Sequence, residues 1–583
     1  MAKGFDILHV KSAVKARNKF DLSRTHLTTM DFGEIVPLFV EETVPGDDIK
    51  VTGNYFSRMA PLVKPTYGKF SFKTMTSFVP YHQIASDADA WIVGKTAFEG
   101  ETPMQRWFSL ASFVQFIITY CVTTSGATSA NSVFNYVNLG GTQVYNVFTD
   151  KGKYWIKVMN ALGYSLPEGV DLRSSASWQN VAYTRLSAYP LLAFFKAYND
   201  YMSQSQRFNS SALSGFLRAV KFKKSATGFN TGNGALDETA LNLLFSNLFL
   251  NYENDYFVSA WQYQNSAIGT NGDIASTVVP GNSLEQANND SLNTKLITSN
   301  GAFTEISQRS LDWLQSYDNW VRRNNYSGSR AVQEVYSRFG IKTDDYKCDY
   351  AYVLGTDTMP IQVGDVTATA DATGVPLGDY AGKGIMTGSK GVSYKVNDYG
   401  ILLILGYFTV VPMQAFGSDR RVLRSSPLDY YTPEFDGMGA EAISFGEVYA
   451  CPITDVPNDT TYDTNVFGYT ERYNSYRYGR DVITGEFRDY RKNGDMNVWH
   501  TGRNLTDIRL AGNMIAQSTA MNTLPQTGSE YNRIFSLGSG NENHFYMTAH
   551  FNVEAIRPML NLNQVPRLGE GDTTVPRNGN VIS

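Results

Sequence analysis

The chain has 583 residues, 36 tyrosines, 34 phenylalanines and three cysteines, and only 18% of its side chains are charged, with 50 Lys and Arg against 55 Asp and Glu for a formal net charge of −5. Soluble chains carry roughly a quarter charged residues, so a polypeptide this large covers much of its surface with Asn, Ser, Thr, Gly and Tyr, a surface suited to burial against partners. The negative balance excludes coating of nucleic acid through bulk positive charge, which needs dense Lys and Arg to displace counterions, and Cys121, Cys348 and Cys451 are too scattered to read as a disulfide framework or a zinc cluster.

The N-terminus mixes charges through its apolar residues and has neither a continuous hydrophobic region nor a cleavage site, so it does not read as a secretory signal. It is locally basic. Lys3, Lys11, Lys15, Arg17, Lys19 and Arg24 face only Asp6 and Asp21, and residues 1–30 are taken as a basic arm able to touch phosphate, or else as a solvated terminus. Phe32–Val40 is the first β-rich run, and Val44-Pro45-Gly46-Asp47 follows it as a strong turn. In Gly68–Val79, Phe70, Phe72 and Phe78 share one parity and Lys69, Ser71, Lys73 and Ser77 the other, the alternation of a strand with one core face and one wet face.

Farther along, Arg218, Lys221, Lys223 and Lys224 interleave with Phe216 and Phe222, a pattern that fits single-strand binding by charge plus stacking, although charge runs are more often solvated faces. Gln262–Asn300 and Val363–Gly391 are low in charge and rich in turn formers, and are expected to be exposed excursions. Between them, Thr304–Val321 and Ser329–Phe339 have helical spacing. Gly400–Met413 is the longest apolar segment, too short and too interrupted by Gly406 and Pro412 to span a bilayer, and its Leu402–Val411 reads as a strand. Val448–Tyr449 and His544–Ile556 are the last β-rich runs. With long connections and no Pro/Ser linker, the pattern implies a single sandwich with elaborate loops. The chain is expected to be soluble and non-secreted.

No HExxH, GxSxG or phosphate-cradle spacing occurs, and no cofactor or metal site is assigned. None of His9, His26, His82, His500, His544 and His550 forms a helical i,i+4 pair; His544 and His550 share strand parity and are taken as sheet histidines. The acidic pairs Glu41-Glu42, Asp47-Asp48, Asp87/Asp89 and Asp344-Asp345 are taken as solvated turn acids rather than glycosidase carboxylates.

Several blocks carry a family resemblance. They are Glu34–Val40 with the turn Pro45, Gly46 and Asp47; Tyr67–Lys73 through Phe78 to His82; and Tyr326–Gly340 with Gly328 and Glu334. Then come Asp429–Phe435, including Tyr430 and Pro433, through Gly439 to Glu447 and Tyr449; and Phe467–Tyr473, including Tyr469, through Tyr476, Phe487 and Arg488 to Trp499 and His500. Phe551–Pro558, ending in Arg557 and Pro558, closes the series. In this order the blocks resemble the major capsid proteins of the Microviridae, small phages of circular single-stranded DNA, and most of all the gokushovirus-like and Bacteroidetes-phage branches.

The resemblance implies a mainly β fold: an eight-stranded viral jelly roll with long, partly helical loop insertions. It divides residues 31–583 into one capsid domain with a variable insertion or protrusion at about 202–304, a helical insertion at 304–340 and a C-terminal strand and tail at 541–583. It further implies self-assembly into a T=1 icosahedral shell around the genome, and surface loops that contribute to host attachment. Gln262–Asn300, after Tyr252–Trp261, corresponds to the protrusion, with Leu241–Leu250 as a candidate helix of it. The implied partners are other copies of the chain, the circular DNA, a small basic DNA-binding protein, a scaffolding protein, a pilot protein and a host receptor, with assembly in the bacterial cytoplasm and no membrane insertion. A phage adsorption or glycan-binding sandwich is the alternative, and a carbohydrate-active enzyme a more distant one.

Overall fold

The computed structural model describes residues 17–559, with the paired segments 564–566 and 574–576; outside the description lie 1–16, 99, 133, 138–141, 166–184, 204–211, 254, 258, 260–283, 286–293, 298–302, 307–315, 317–339, 341–348, 368–379, 414–416, 437–439, 449–465, 489–494, 503–530, 537–542, 560–563, 567–573 and 577–583. Ten strands build the centre: β1 Asn18–Asp21, β2 Arg24–Met30, β3 Ile35–Thr43, β4 Asp48–Met59, β5 Lys69–Pro80, β6 Tyr352–Pro360, β7 Gln362–Thr367, β8 Tyr380–Lys395, β9 Gly400–Val411 and β10 Phe545–Arg557. A six-stranded antiparallel sheet has the order β2–β10–β4–β8–β7, with β1 continuing β2 along β10 in the same register. A four-stranded antiparallel sheet has the order β3–β9–β5–β6.

The two sheets pack face to face through aromatic rings. Phe408 of β9 stacks on Phe545 of β10 at 4.0 Å, Phe39 meets Phe551 at 5.1 Å, Tyr55 meets Phe72 at 5.7 Å and Phe78 meets Tyr394 at 5.1 Å. In β4 and β10 buried and non-buried residues alternate along almost their whole length, so the outer face of the larger sheet is left open. β9 is buried on both faces, which is why it reads as an unbroken apolar run rather than as an alternation.

The second face of the smaller sheet is covered by helices α1 Leu110–Phe116, α2 Asp150–Ala161, α3 Tyr189–Tyr201, α4 Ala212–Lys221 and α5 Glu238–Ser246. Ile35, Met75, Val79, Ile401, Leu403 and Leu405 of the sheet join Phe116, Trp155, Phe195 and Phe245 of the helices in one buried cluster. Three of these helices begin at a residue whose side chain accepts a backbone amide: Ser109 for α1, Thr149 for α2 and Asp237 for α5.

Several sequence expectations are corrected. The wet face assigned to β5 is wet only over its first half, because the helical layer buries Met75, Ser77 and Val79. The described parts of Val363–Gly391 are strand, not loop: they make up most of β7 and β8, and β8 is the inner partner of β4. Gly382, Gly384 and Gly388 are packing residues, since a Cβ on Gly382 would lie 2.7 Å from Leu62 Cδ1, and on Gly384 and Gly388 2.1 Å from the Sδ atoms of Met59 and Met359. The start of the expected helix at Thr304 is strand Phe303–Ile306, paired with Thr294–Ile297, which in turn pairs with Leu284–Glu285 inside the expected excursion. The rest of that helix, apart from Ser316, and the stretch Ser329–Phe339 lie outside the described residues. Phe445–Val448 is a helical turn, not a strand. Leu241, Leu244 and Phe245 are buried among the helices, so α5 belongs to the core and not to a protrusion. Residues 18–30, taken as part of an arm, are the edge strand of the larger sheet.

Candidate assembly and nucleic-acid surfaces

The turn after β3 closes as expected. Asp47 N–H donates to Val44 O at 3.0 Å across Pro45 and Gly46, and Gly46 has φ +95°, a conformation that favours glycine. A Cβ there would lie 3.2 Å from the Arg17 guanidinium and 3.7 Å from Pro558. Asp47 is not a solvated acid: it is 1% exposed, its Oδ2 accepts from Val44 N at 3.0 Å and lies 3.3 Å from Arg557 Nε. Burial pushes its carboxyl above the usual range against the pull of the Val44 amide and Arg557. Arg557 also donates to Glu41 at 2.9 Å, and Glu41 accepts from Arg24 at 3.0 Å. Glu42 accepts from the Tyr81 hydroxyl at 2.6 Å. Arg557 and Pro558 thus tie the end of β10 to the β3–β4 turn and to the edge strand.

Of the basic arm, Lys3, Lys11 and Lys15 lie outside the described residues. Lys19 pairs with Glu554 at 2.9 Å on the open face of the larger sheet, and Lys19 holds the Glu554 carboxyl below its usual value. The second basic cluster is divided. Lys221 pairs with Asp349 at 2.6 Å, and Lys223 with Asp87 at 2.9 Å and Glu101 at 3.2 Å. Phe216 is 3% exposed and cannot serve as a stacking platform. Arg218, Lys224 and Phe222 remain exposed.

Asp87 anchors a buried network that spacing could not reveal. Arg106, fully buried, donates to Asp87 Oδ1 at 2.9 Å, to Val220 O at 3.0 Å and to Met104 O at 2.7 Å. Burial raises the Asp87 carboxyl, but Arg106, the Met104 amide and Lys223 outweigh it and hold it below its usual value. Nearby, His82 Nδ1 lies 2.8 Å from Asp398 Oδ2, with Asp89 close enough to complete a trio.

The segment between β9 and β10 carries most of the other family-type residues. Glu447 is 2% exposed and is held by Arg420 at 2.8 Å, Tyr256 at 3.2 Å and the Ser444 amide at 3.2 Å; burial pushes its carboxyl up and Arg420 opposes this. Tyr430 and Tyr476 flank the Arg424 guanidinium, which lies 5.6 Å and 4.1 Å from their rings. Both tyrosines are exposed. Pro433 opens the short helix Pro433–Phe435, and Tyr469 pairs with Ala442 across two strands. Trp499 stacks on Tyr67 at 5.7 Å, and Phe487 meets the same ring at 6.2 Å. His500 is buried, its Nε2 donating to Phe487 O and its Nδ1 accepting from Gly502 N, each at 2.9 Å, and burial pushes its imidazole below the usual value. Arg488 is partly exposed. Gly439 and Tyr449 lie outside the described residues.

His544 and His550 do not share a face: His544 is 4% exposed and stacked on Phe535 at 4.3 Å, whereas His550 is exposed and bonded to Thr25 at 2.9 Å. Cys121 is buried, and Cys348, Cys451, Asp344 and Asp345 lie outside the described residues. Among the described residues no helix is long and apolar enough to cross a membrane.

This chain, with its sheets locked by buried ion pairs and its exposed loops rich in Tyr and Arg, is similar to known phage proteins. The family model described as capsid protein (F protein) matches residues 8–107 and 222–567. The stretch it passes over, 108–221, holds α1 to α4 of the helical layer. The chain is 24% identical over 595 residues to capsid protein VP1 of Chlamydia phage 1, covering 94% of this chain and 95% of that one. It is 22% identical over 518 residues to capsid protein VP1 of Bdellovibrio phage phiMH2K, covering 85% and 87%. The chain belongs to the F-type capsid proteins of the Microviridae, and it is a structural component of the virion rather than an enzyme.

Proposed function

We propose that the chain folds as the eight-stranded viral jelly roll and assembles into a T=1 icosahedral shell around a circular single-stranded DNA genome. The observation that carries the fold is the strand order. The sets β2–β10–β4–β8 and β3–β9–β5–β6 are arranged so that successive strands cross between the sheets at every step from β2 to β5 and again from β8 to β10, as in two nested Greek keys. In this reading β1 and β7 are additions to the eight. The work of the subunit is self-association by shape and buried aromatic area, and Tyr and Arg are enriched at such contacts. The exposed Tyr430 and Tyr476 beside Arg424 fit that role. The buried Glu447 and His500 and the partly exposed Trp499 hold the loops that present them.

The basic residues Lys3, Lys11, Lys15, Arg17 and Lys19, with the exposed Arg218 and Lys224, are assigned to the genome; Lys221 and Lys223 are better explained by their ion pairs. Accessory partners in assembly are a scaffolding protein, a pilot protein and a small basic DNA-binding protein. Within the insertion at about 202–304, the segment 262–300 is assigned to contact with a host receptor, since α4 and α5 belong to the helical layer. Deleting 262–300 tests this last part: particles of normal yield with reduced adsorption to the host are expected, and loss of soluble subunit would place the segment in the core instead.

A further inference from the structure

A cavity of about 1160 Å³ runs beside the edge strand β2, lined by that strand, by the start of β10 with Phe56 and Arg58 of β4, and by Asn160–Gly163 at the end of α2. Arg24, Arg58 and Lys157 line it, and no Asp or Glu does, in a chain whose acids outnumber its bases. Arg24 and Lys157 are paired with Glu41 at 3.0 Å and Glu34 at 2.6 Å, so Arg58, which is exposed, is the groove's cation without a carboxylate partner among the described residues. Its guanidinium lies 5.3 Å from the Phe56 ring, and Tyr546 is its direct cross-strand neighbour. Phe56, Tyr546 and Leu27 are 38%, 45% and 76% exposed, and among the described residues β2 pairs with no strand but β10.

We infer that this groove seats a stretch of single-stranded DNA, its phosphate on Arg58 and its bases against Tyr546 and Phe56. The inference rests on the reading of the chain as a shell around such a genome, and it places this face of the larger sheet inward. Charge decides between occupants. With two lining cations paired and Arg58 unpaired, the groove keeps a net positive charge that disfavours a basic protein and suits a polyanion, and a cation beside exposed aromatic faces is the combination that binds single strands with little sequence preference. The carbonyl end of α2 disfavours phosphate, so the backbone runs on the Arg58 side and base edges face Asn160. An extended protein segment pairing with the open edge of β2 is the competing occupant.

The test is fluorescence anisotropy of the full-length chain with a labelled oligodeoxythymidine at several salt concentrations. Tyr546→Ala is expected to weaken binding at least about fivefold with the salt dependence unchanged, since stacking carries no counterion release. Arg58→Ser should reduce the slope of log K against log salt by about 0.7, and Arg58→Lys should restore it, a readout that a merely structural role would not move. Wild-type binding insensitive to these changes, or no binding at low salt, overturns the inference. So does Leu27→Asp abolishing particles while oligonucleotide affinity stays intact, because the groove would then seat a protein segment. Failure of the shell reading is seen separately: particles formed by Arg58→Ser/Tyr546→Ala with full DNA content refute the groove alone, whereas absence of particles from the wild-type chain refutes the shell.

Discussion

Replacing Arg557 by Met removes the cation that pulls most strongly on Asp47 where β10 meets the β3–β4 turn, and leaves the weaker pull of Arg17. The Asp47 carboxylate is 1% exposed, its Oδ1 has no hydrogen-bond partner, and its Oδ2 keeps only the Val44 amide at 3.0 Å once the guanidinium at 3.3 Å is gone. Breaking a buried ion pair costs about 3–5 kcal/mol, and the surviving amide bond puts the expected cost near the lower end, about 3 kcal/mol. In an Asp47→Asn background no buried charge is left behind, so the same change should cost about 1 kcal/mol, most of it the lost bond to Glu41. The pH dependence has a definite sign. The native carboxyl of Asp47 already titrates above its unfolded value of 3.8, so the native state holds the proton more firmly and stability falls as pH rises from that value through the native one. Without Arg557 the native value rises further and the fall extends upward, so the defect is smallest in acid and complete at neutral pH. Hydrogen exchange of peptides covering 18–30 and 545–557 reads the local opening. The single variant should exchange about a hundredfold faster at neutral pH, and the double variant should recover most of that. Equal effects of Arg557→Met in both backgrounds would refute the buried-charge argument.

Gly46→Val should impair assembly, because a β-branched residue at φ +95° carries strain of about 1–3 kcal/mol and its Cβ presses on Arg17; a normal particle yield on a gradient would count against the turn. Phe408→Ala empties the fully buried ring that stacks on Phe545 at 4.0 Å and joins the two sheets, an expected loss of about 3–5 kcal/mol. Protease resistance matching that of the wild-type chain would show that this contact does not hold the sheets together.

How much of this was legible depended on what each strand faces. β10 and the first half of β5 could be read because one face is buried and the other is not, which leaves an alternation in the sequence. β8 was hidden because Gly382, Gly384 and Gly388 stand where Leu62, Met59 and Met359 leave no room for a Cβ, and glycine in a sequence reads first as a turn. The Arg24–Met30 strand was hidden by the basic residues before it, although its threonines suit a strand. The turn at Gly46 was legible because Pro-Gly-Asp is local chemistry. The Arg106–Asp87–Lys223 network was not, since burial alone separates these residues from solvated ones and their partners are far apart in sequence. The groove beside β2 escaped for the same reason: Arg58, Tyr546 and Lys157 become neighbours only when β10 returns to pair with β4 and α2 packs on β3.

Whether this chain encloses a genome can be read from sedimentation. A lysate of the producing culture is treated with nuclease and sedimented through a density gradient, and the fractions are assayed for this chain and for DNA. The chain is expected to sediment as a uniform particle together with protected circular single-stranded DNA. A chain that stays at the top of the gradient as a small species, in a culture that demonstrably makes it, would show that it does not form the shell.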